Sequence, residues 1–218
     1  MTAMLYELNY YIGHFRYGRA IALAILVAAG LAVAVFGYRW WSQHTTAQAH
    51  ASLAQAVELF ERADQENTQA AWGEADRAFS QGYTQHAGSS LAGYFLAFQA
   101  EVALRQGNAE TARELLSKAI QAMSATGPFY GAYKIKLALL QIDAGNPDLV
   151  AAGTQTLQQL ANDPRNNDRD MAVYYLGLRS FQGGDRAAAE KIWQPLVEMQ
   201  GAESLWAQAA QAKLDYTA

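Results

Sequence analysis

Apolar residues are distributed along this chain in two distinct ways. Between Ala20 and Tyr38 they run on with no charged residue and no proline. A helix of about 19 such residues rises roughly 28 Å, close to the hydrocarbon thickness of a bilayer. From Thr46 onward the apolar positions instead recur every three or four residues, the period of helices with one buried face. That pattern predicts helices over 46–66, with Leu53, Val57 and Phe60 inward, and over 69–82, with Trp72, Ala75 and Phe79 inward. Gly88-Ser89-Ser90 reads as a turn with an N-cap. Further helices are expected over 90–106, 108–126 and 128–144, one opening at Pro147, one from the polar loop 163–168 to Gln182, and two over 186–200 and 202–214. Pro195 lies inside one of these and is expected to kink or split it, because it removes the bond to the Lys191 carbonyl.

The apolar run has the flanks of a membrane anchor. Arg16, Tyr17 and Arg19 precede it, and Tyr38, Arg39, Trp40 and Trp41 close it. Tyr and Trp favour the headgroup region and Arg can reach it along an apolar stem. The rival reading is a cleavable secretory signal, with Ala32-Val33-Ala34 as the small-x-small site. The aromatic-basic cluster after the run suits a retained anchor better. Arg16 and Arg19 lie on one side, and Arg39 is the only Lys or Arg from there to Arg62. The asymmetry predicts a cytoplasmic segment over 1–19, an anchor over 20–41 and a translocated domain over 42–218, which in a bacterium means an inner-membrane protein facing the periplasm. Leu5, Leu8, Ile12 and Phe15 fit either an interfacial helix or an unstructured tail. Ala20, Ala24, Ala28 and Ala32 form a small-residue stripe that permits a second membrane helix to approach.

The translocated part repeats. Gly107, Gly145 and Gly184 each follow an amphipathic stretch and precede a capping Asn or Asp, at spacings of 38 and 39 residues. Periods of this size mean stacked helical hairpins, with the glycines at equivalent turns. Registered on them, Leu176-Gly177 and the small residues Ala112, Ala119 and Ala189 fall at tetratricopeptide-like positions, while the middle repeat needs about three extra residues after Pro147. The expected fold is therefore all-α: an N-terminal transmembrane helix, a solenoid of degenerate tetratricopeptide-like hairpins and a C-terminal capping helix.

Composition narrows the function. The net charge of −4 supplies no basic stripe for nucleic acid, and the chain has no cysteine. His14, His44, His50 and His86 are dispersed, without metal-ligand spacing. The 163–170 loop resembles a calcium loop in composition only, lacking the central Gly and the closing Glu. No phosphate loop, nucleophile elbow or carboxylate pair stands out, so the chain reads as a non-enzyme without cofactor or metal. What remains is a tethered array that offers surface to proteins. In the glycine register, a first-helix stripe of Leu104, Ile135, Leu139, Ile142, Tyr174, Leu178 and Phe181 is expected to line a partner groove, against the alternative that these residues pack within the core.

The string Gly37-Tyr38-Arg39-Trp40-Trp41-Ser42-Gln43-His44 ends the anchor and is followed by an Ala-rich helix and degenerate hairpins. In this layout the chain resembles the YfgM family. The resemblance implies a single-pass inner-membrane protein with a periplasmic tetratricopeptide-like domain, ancillary to the Sec translocon and associated with a membrane-anchored periplasmic chaperone of the prolyl-isomerase type. The alternative function is a structural scaffold in another envelope complex, such as cytochrome maturation, division or polymer export.

Overall fold

The computed structural model describes residues 46–200 and 204–215. The expected anchor and its flanking Arg16, Arg19, Tyr38, Arg39, Trp40 and Trp41 lie outside the described residues. No helix among those described is long and apolar enough to cross a membrane. The chain divides into two compact units, Met1–Gln48 and Ala49–Ala218, and the account below concerns the second.

The described residues are helical throughout, without strands. In chain order they form α1 (46–66), α2 (Gln69–Gln85), α3 (Ala92–Arg105), α4 (Ala109–Ala122), α5 (Tyr130–Asp143), α6 (Pro147–Asn162), α7 (Arg169–Gln182), α8 (Arg186–Gln200) and α9 (Leu205–Asp215). Each helix from α2 to α9 packs on the next, so the chain reads as successive antiparallel hairpins.

The three glycines occupy equivalent turns. Gly107, Gly145 and Gly184 have φ of 81°, 70° and 84°, and each lies between the first and second helix of a hairpin. Only glycine takes this left-handed conformation without a Cβ penalty. After α3, the Gly107 amide donates to the Leu104 carbonyl and the Asn108 amide to that of Ala103. After α7, Gly184 donates to Phe181 and Asp185 to Ser180. These are the paired bonds of a Schellman motif, which satisfy carbonyls the helix end would otherwise leave open. The α1–α2 hairpin is a fourth unit of the same kind, turned by Asn67 at φ 48°, 40 residues before Gly107. Asn tolerates the left-handed region, so a search keyed on glycine passes over this turn.

Capping differs in detail from the sequence expectation. Asn146 accepts from the amides of Asp148 and Leu149, and Asp185 from that of Ala188. Asn108 holds the N-cap position of α4 but makes no side-chain cap bond; only its carbonyl engages the helix, through the Ala112 amide. Ser90 is not the N-cap of α3. That position is Leu91, whose amide is bonded by the Ser89 hydroxyl. Nor is α8 split at Pro195, for the helix runs unbroken from Arg186 to Gln200.

Small residues set how closely the paired helices approach. In the α3–α4 hairpin Ala97, Ala100, Ala112 and Ala119 are fully buried, and a Cβ on Gly93 would meet the Ala119 carbonyl at 2.7 Å. In α5–α6 Gly153 lies against the Ala138 carbonyl, and in α7–α8 Gly177 lies under the Trp193 indole. The large side chains follow one turn after the small residue of each second helix, at Leu116, Leu157 and Trp193, all with no exposed surface. Gly153 also explains the three-residue displacement of the middle repeat. It sits eight residues after its turn glycine, whereas Ala112 and Ala189 sit five after theirs.

The odd-numbered helices form one layer. Beyond neighbours in sequence, α5 packs on α7 and α7 on α9, whereas the even-numbered helices make no comparable contacts with one another. α3 joins this face through Tyr94 on Tyr133 and Glu101 on Lys136, so the first helices make up one face of the array, its inner layer. α9 covers Trp193 and Leu196 with Ala207 and Ala210 and leaves Gln208, Gln211, Lys213 and Asp215 exposed, together with Leu205 at 70 %.

Gly177→Ala places a methyl inside the Trp193 ring, whose Nε1 donates to the Tyr174 carbonyl at 3.0 Å. It is expected to destabilise by about 1–3 kcal/mol. Gly73→Ala, in α2 with open space around the added methyl, is expected to stabilise by about 0.5–1 kcal/mol. Urea denaturation of the two variants checks both signs.

Candidate interaction surface

The inner layer carries aromatic side chains that its packing does not consume. Phe129, at the N-cap of α5, is 56 % exposed. Tyr94 of α3 stands edge-on to it at 6.2 Å and to Tyr133 of α5 at 6.4 Å. Farther along, Tyr174 and Tyr175 of α7 meet Trp206 of α9 at 5.3 and 5.6 Å. Apart from Phe129 these rings are half-buried, as expected where adjacent first helices must touch and yet leave one side open to solvent.

Most charged side chains of this layer have a partner within the protein, though only two pairs join opposite charges. Arg105 bridges to Asp64 of α1, and Lys136 of α5 to Glu101 of α3, each joining consecutive first helices. Arg179 donates to the Thr154 hydroxyl, Arg169 to the Ala161 carbonyl, and Asp170 accepts from Ser204. Lys134 lies over the Tyr130 ring at 5.5 Å. Of the charged residues on α3, α5 and α7, only Asp143, exposed at the end of α5, has no such partner.

Burial is the main reason the Tyr133 phenol is pushed from 10.0 to about 12, with the Glu101 carboxylate and Tyr94 adding to it. Burial, then Tyr175, also raises Tyr174. Both groups therefore stay neutral donors at any physiological pH.

Of the groove stripe expected from sequence, Ile135 alone is wholly inward and the other six residues are half-buried. Ile135 has no exposed surface and belongs to the core with Ala138 and Leu157, so it cannot line a groove. Leu104 packs on the α3–α4 core, and Leu139 and Ile142 on the α5–α6 core. Tyr174, Leu178 and Phe181 surround Trp193, with Tyr174 stacked on it at 5.9 Å and Phe181 at the same distance. The stripe is thus divided among three core clusters, each member other than Ile135 keeping part of its surface exposed. The residues missed were Tyr94, Phe129, Tyr133 and Tyr175. Their signal was aromatic content beside the strictest apolar positions of the same helices.

Other sequence candidates resolve as structure. Asp163 accepts from the Arg165 amide at 3.0 Å, which holds its carboxyl below the usual range, and Arg165 also bonds it through its guanidinium. Asn166 and Asp168 turn their oxygens toward Gly131, so the loop closes on the start of α5. His86 shares a 3.0 Å hydrogen bond with Ser52 and stacks on Phe95, tying α1 to the end of α2. His50 is exposed, and His14 and His44 lie outside the described residues.

Because Tyr133 titrates late, its contribution to stability is fully present below pH 10 and lost as pH rises through about 12. An ultraviolet titration of the tyrosines should show a late phenol that Tyr133→Phe removes. Phe181→Ala uncovers the Trp193 ring and is expected to cost about 2–4 kcal/mol, read as a fall in melting temperature.

Comparison with known proteins agrees with this architecture. No curated protein gives a significant match. Among solved structures, a tetratricopeptide repeat protein from Parabacteroides merdae ATCC 43184 superposes with a TM-score of 0.50 at 19% identity, over 73% of this chain. The chain spans 59% of that protein's length, and at this identity the likeness is one of fold. The family described as tetratricopeptide repeat-like domain matches residues 14–215. The match takes in nearly the whole sequence, and the chain belongs to the tetratricopeptide repeat-like domain family.

Proposed function

We propose that this chain is a non-catalytic, membrane-anchored protein-interaction module that presents its repeat domain in the bacterial periplasm. In this reading residues 20–41 span the inner membrane, 1–19 remain cytoplasmic, and the repeats recruit protein partners. The partners are those the YfgM resemblance implies: the Sec translocon and a membrane-anchored chaperone of the prolyl-isomerase type.

The observation that carries the reading is the inner layer. It holds half-buried aromatic rings against solvent, with Phe129 more than half exposed beside them, and exposed aromatic surface is typical of interface centres. The family match lends support. It begins at residue 14, ahead of the apolar run, and continues through the repeats, so both parts fall within one family description. The Arg16 and Arg19 bias supports the orientation.

Purification of the full chain in mild detergent, with quantitative identification of what accompanies it, tests the assignment. Translocon subunits and a chaperone are expected; subunits of a different envelope machine in their place would make the chain a scaffold there. A reporter active only outside the cytoplasm, fused after Ala218, is expected to be active. Activity of a cytoplasmic reporter at that position would reverse the orientation.

A further inference from the structure

We propose that the cavity shared by α6, α7 and α8 binds a free α-amino acid with a branched or aromatic apolar side chain. Arg169 takes its carboxylate, Asp170 its ammonium group, and a hydrocarbon wall its side chain. The inference goes beyond the interaction-module reading and does not depend on it.

The cavity encloses about 420 Å³, inside the range of roughly 300–1,000 Å³ common for small-molecule sites. It exists because α6 and α8 each pack on α7 but make no comparable contacts with each other. Its wall includes Val173 and Leu176 of α7 and Ile192, Pro195 and Leu196 of α8. Leu196 is buried, while Val173, Leu176 and Ile192 are half-buried and keep apolar surface that packing has not covered. A ligand side chain laid on this wall removes that surface from water.

Two opposite charges border the same space. Arg169 and Asp170 both line it, and neither forms an ion pair with any described residue. They do not reach each other because consecutive residues on a helix point about 100° apart. Each is held by a neutral group instead. The Arg169 Nε donates to the Ala161 carbonyl of α6 at 2.9 Å, which leaves both terminal nitrogens of the guanidinium for a carboxylate. The Ser204 hydroxyl donates to Asp170 Oδ2 at 3.0 Å, which leaves Oδ1 for an ammonium group. Both charged groups are thus positioned by the fold, and neither is neutralised by it.

This pair of charges selects among ligands. A fatty acid or another simple anion meets Asp170, and a simple amine meets Arg169, so a singly charged compound satisfies one group and is repelled by the other. The interior of a polypeptide carries neither charge, and each of its ends carries only one. An α-amino acid carries both on one carbon, with the side chain issuing from the same atom. A charged side chain would have to lie against Val173 and Ile192, so the site favours leucine, isoleucine, valine or phenylalanine.

Equilibrium dialysis of the full chain in detergent against isotope-labelled leucine tests the assignment, with N-acetylleucine, leucinamide and glycine as competitors. Leucine is expected to bind saturably, at one molecule per chain. N-acetylleucine lacks the ammonium group, leucinamide the carboxylate and glycine the side chain, and each should compete at least about tenfold more weakly. Asp170→Asn keeps an acceptor for Ser204, and Arg169→Gln keeps a donor for the Ala161 carbonyl, so both variants should hold their melting temperature. Each should bind leucine about tenfold more weakly. Asp170→Asn should also abolish the preference for leucine over N-acetylleucine, and Arg169→Gln the preference over leucinamide. Absence of saturable leucine binding overturns the proposal. So does competition by N-acetylleucine, leucinamide or glycine as strong as that by leucine, or survival of both preferences in the folded variants. Should a variant unfold, the competition on the unaltered chain decides alone. Copurification of protein partners is a separate result that none of these outcomes changes.

Discussion

The close approach of the two helices in each hairpin is the constraint on which the remaining structure depends. Gly153 against the Ala138 carbonyl and Gly177 beneath Trp193 leave no room for a methyl group, and Gly93 presses equally on the Ala119 carbonyl. Where two backbones approach this closely, large residues must sit one turn away, and Leu116, Leu157 and Trp193 do so. Each cluster is centred on one hairpin and completed by the helix that follows it: Phe95 and Val102 of α3 join the α1–α2 core, Ala172 of α7 the α5–α6 core, and Ala207 and Ala210 of α9 the core around Trp193. This is the economy of a repeat protein: each hairpin buries most of its own core, and its nearest neighbour in the stack closes the remainder.

Stacking in turn decides which surface remains for function. The first helices touch through Tyr94 and Tyr133, through α5 on α7, and through Tyr175 and Trp206, whereas the second helices stand apart. The inner face is therefore fixed by contacts that also form its surface. A ring that bridges two helices cannot be wholly buried by either, and it retains an edge or a hydroxyl for a third body. Tyrosine suits such a position better than leucine, because one end of it is apolar and the other can remain wet.

The repeats were legible in the sequence because backbone chemistry made them so. A left-handed turn calls for glycine, and glycine at Gly107, Gly145 and Gly184 announced three hairpins at nearly constant spacing. The fourth escaped because Asn67 makes the same turn with a side chain attached. The surface was less legible for a different reason. Searching a helix for a groove by its strictest apolar positions selects the residues the hairpin needs for itself, which is why Ile135, Leu139 and Phe181 lie on core clusters. An inner face shows as the residue left over after packing is satisfied: aromatic, partly polar and without a clear period. Pro195 is the remaining lesson, since a proline in the last part of a helix removes one bond without dividing the element.

The ion pairs of the inner layer fit this picture better as positioning devices than as sources of stability. Arg105 and Asp64 are about half exposed, with side-chain surfaces of 54% and 48%, and such a pair contributes little in water. Lys136 and Glu101 are more sheltered, at 33% and 25%, but each still faces solvent. Both pairs run between consecutive first helices, from α1 to α3 and from α3 to α5. A contact of that kind restricts how one helix rotates against the next, and it also removes two charges from the face at the places where a ligand would cross. Apolar residues at those positions would cement the stack more firmly, at the risk of drawing a second solenoid onto the same surface. The two pairs fix charged groups beside the tyrosines and keep the face soluble without making it adhesive.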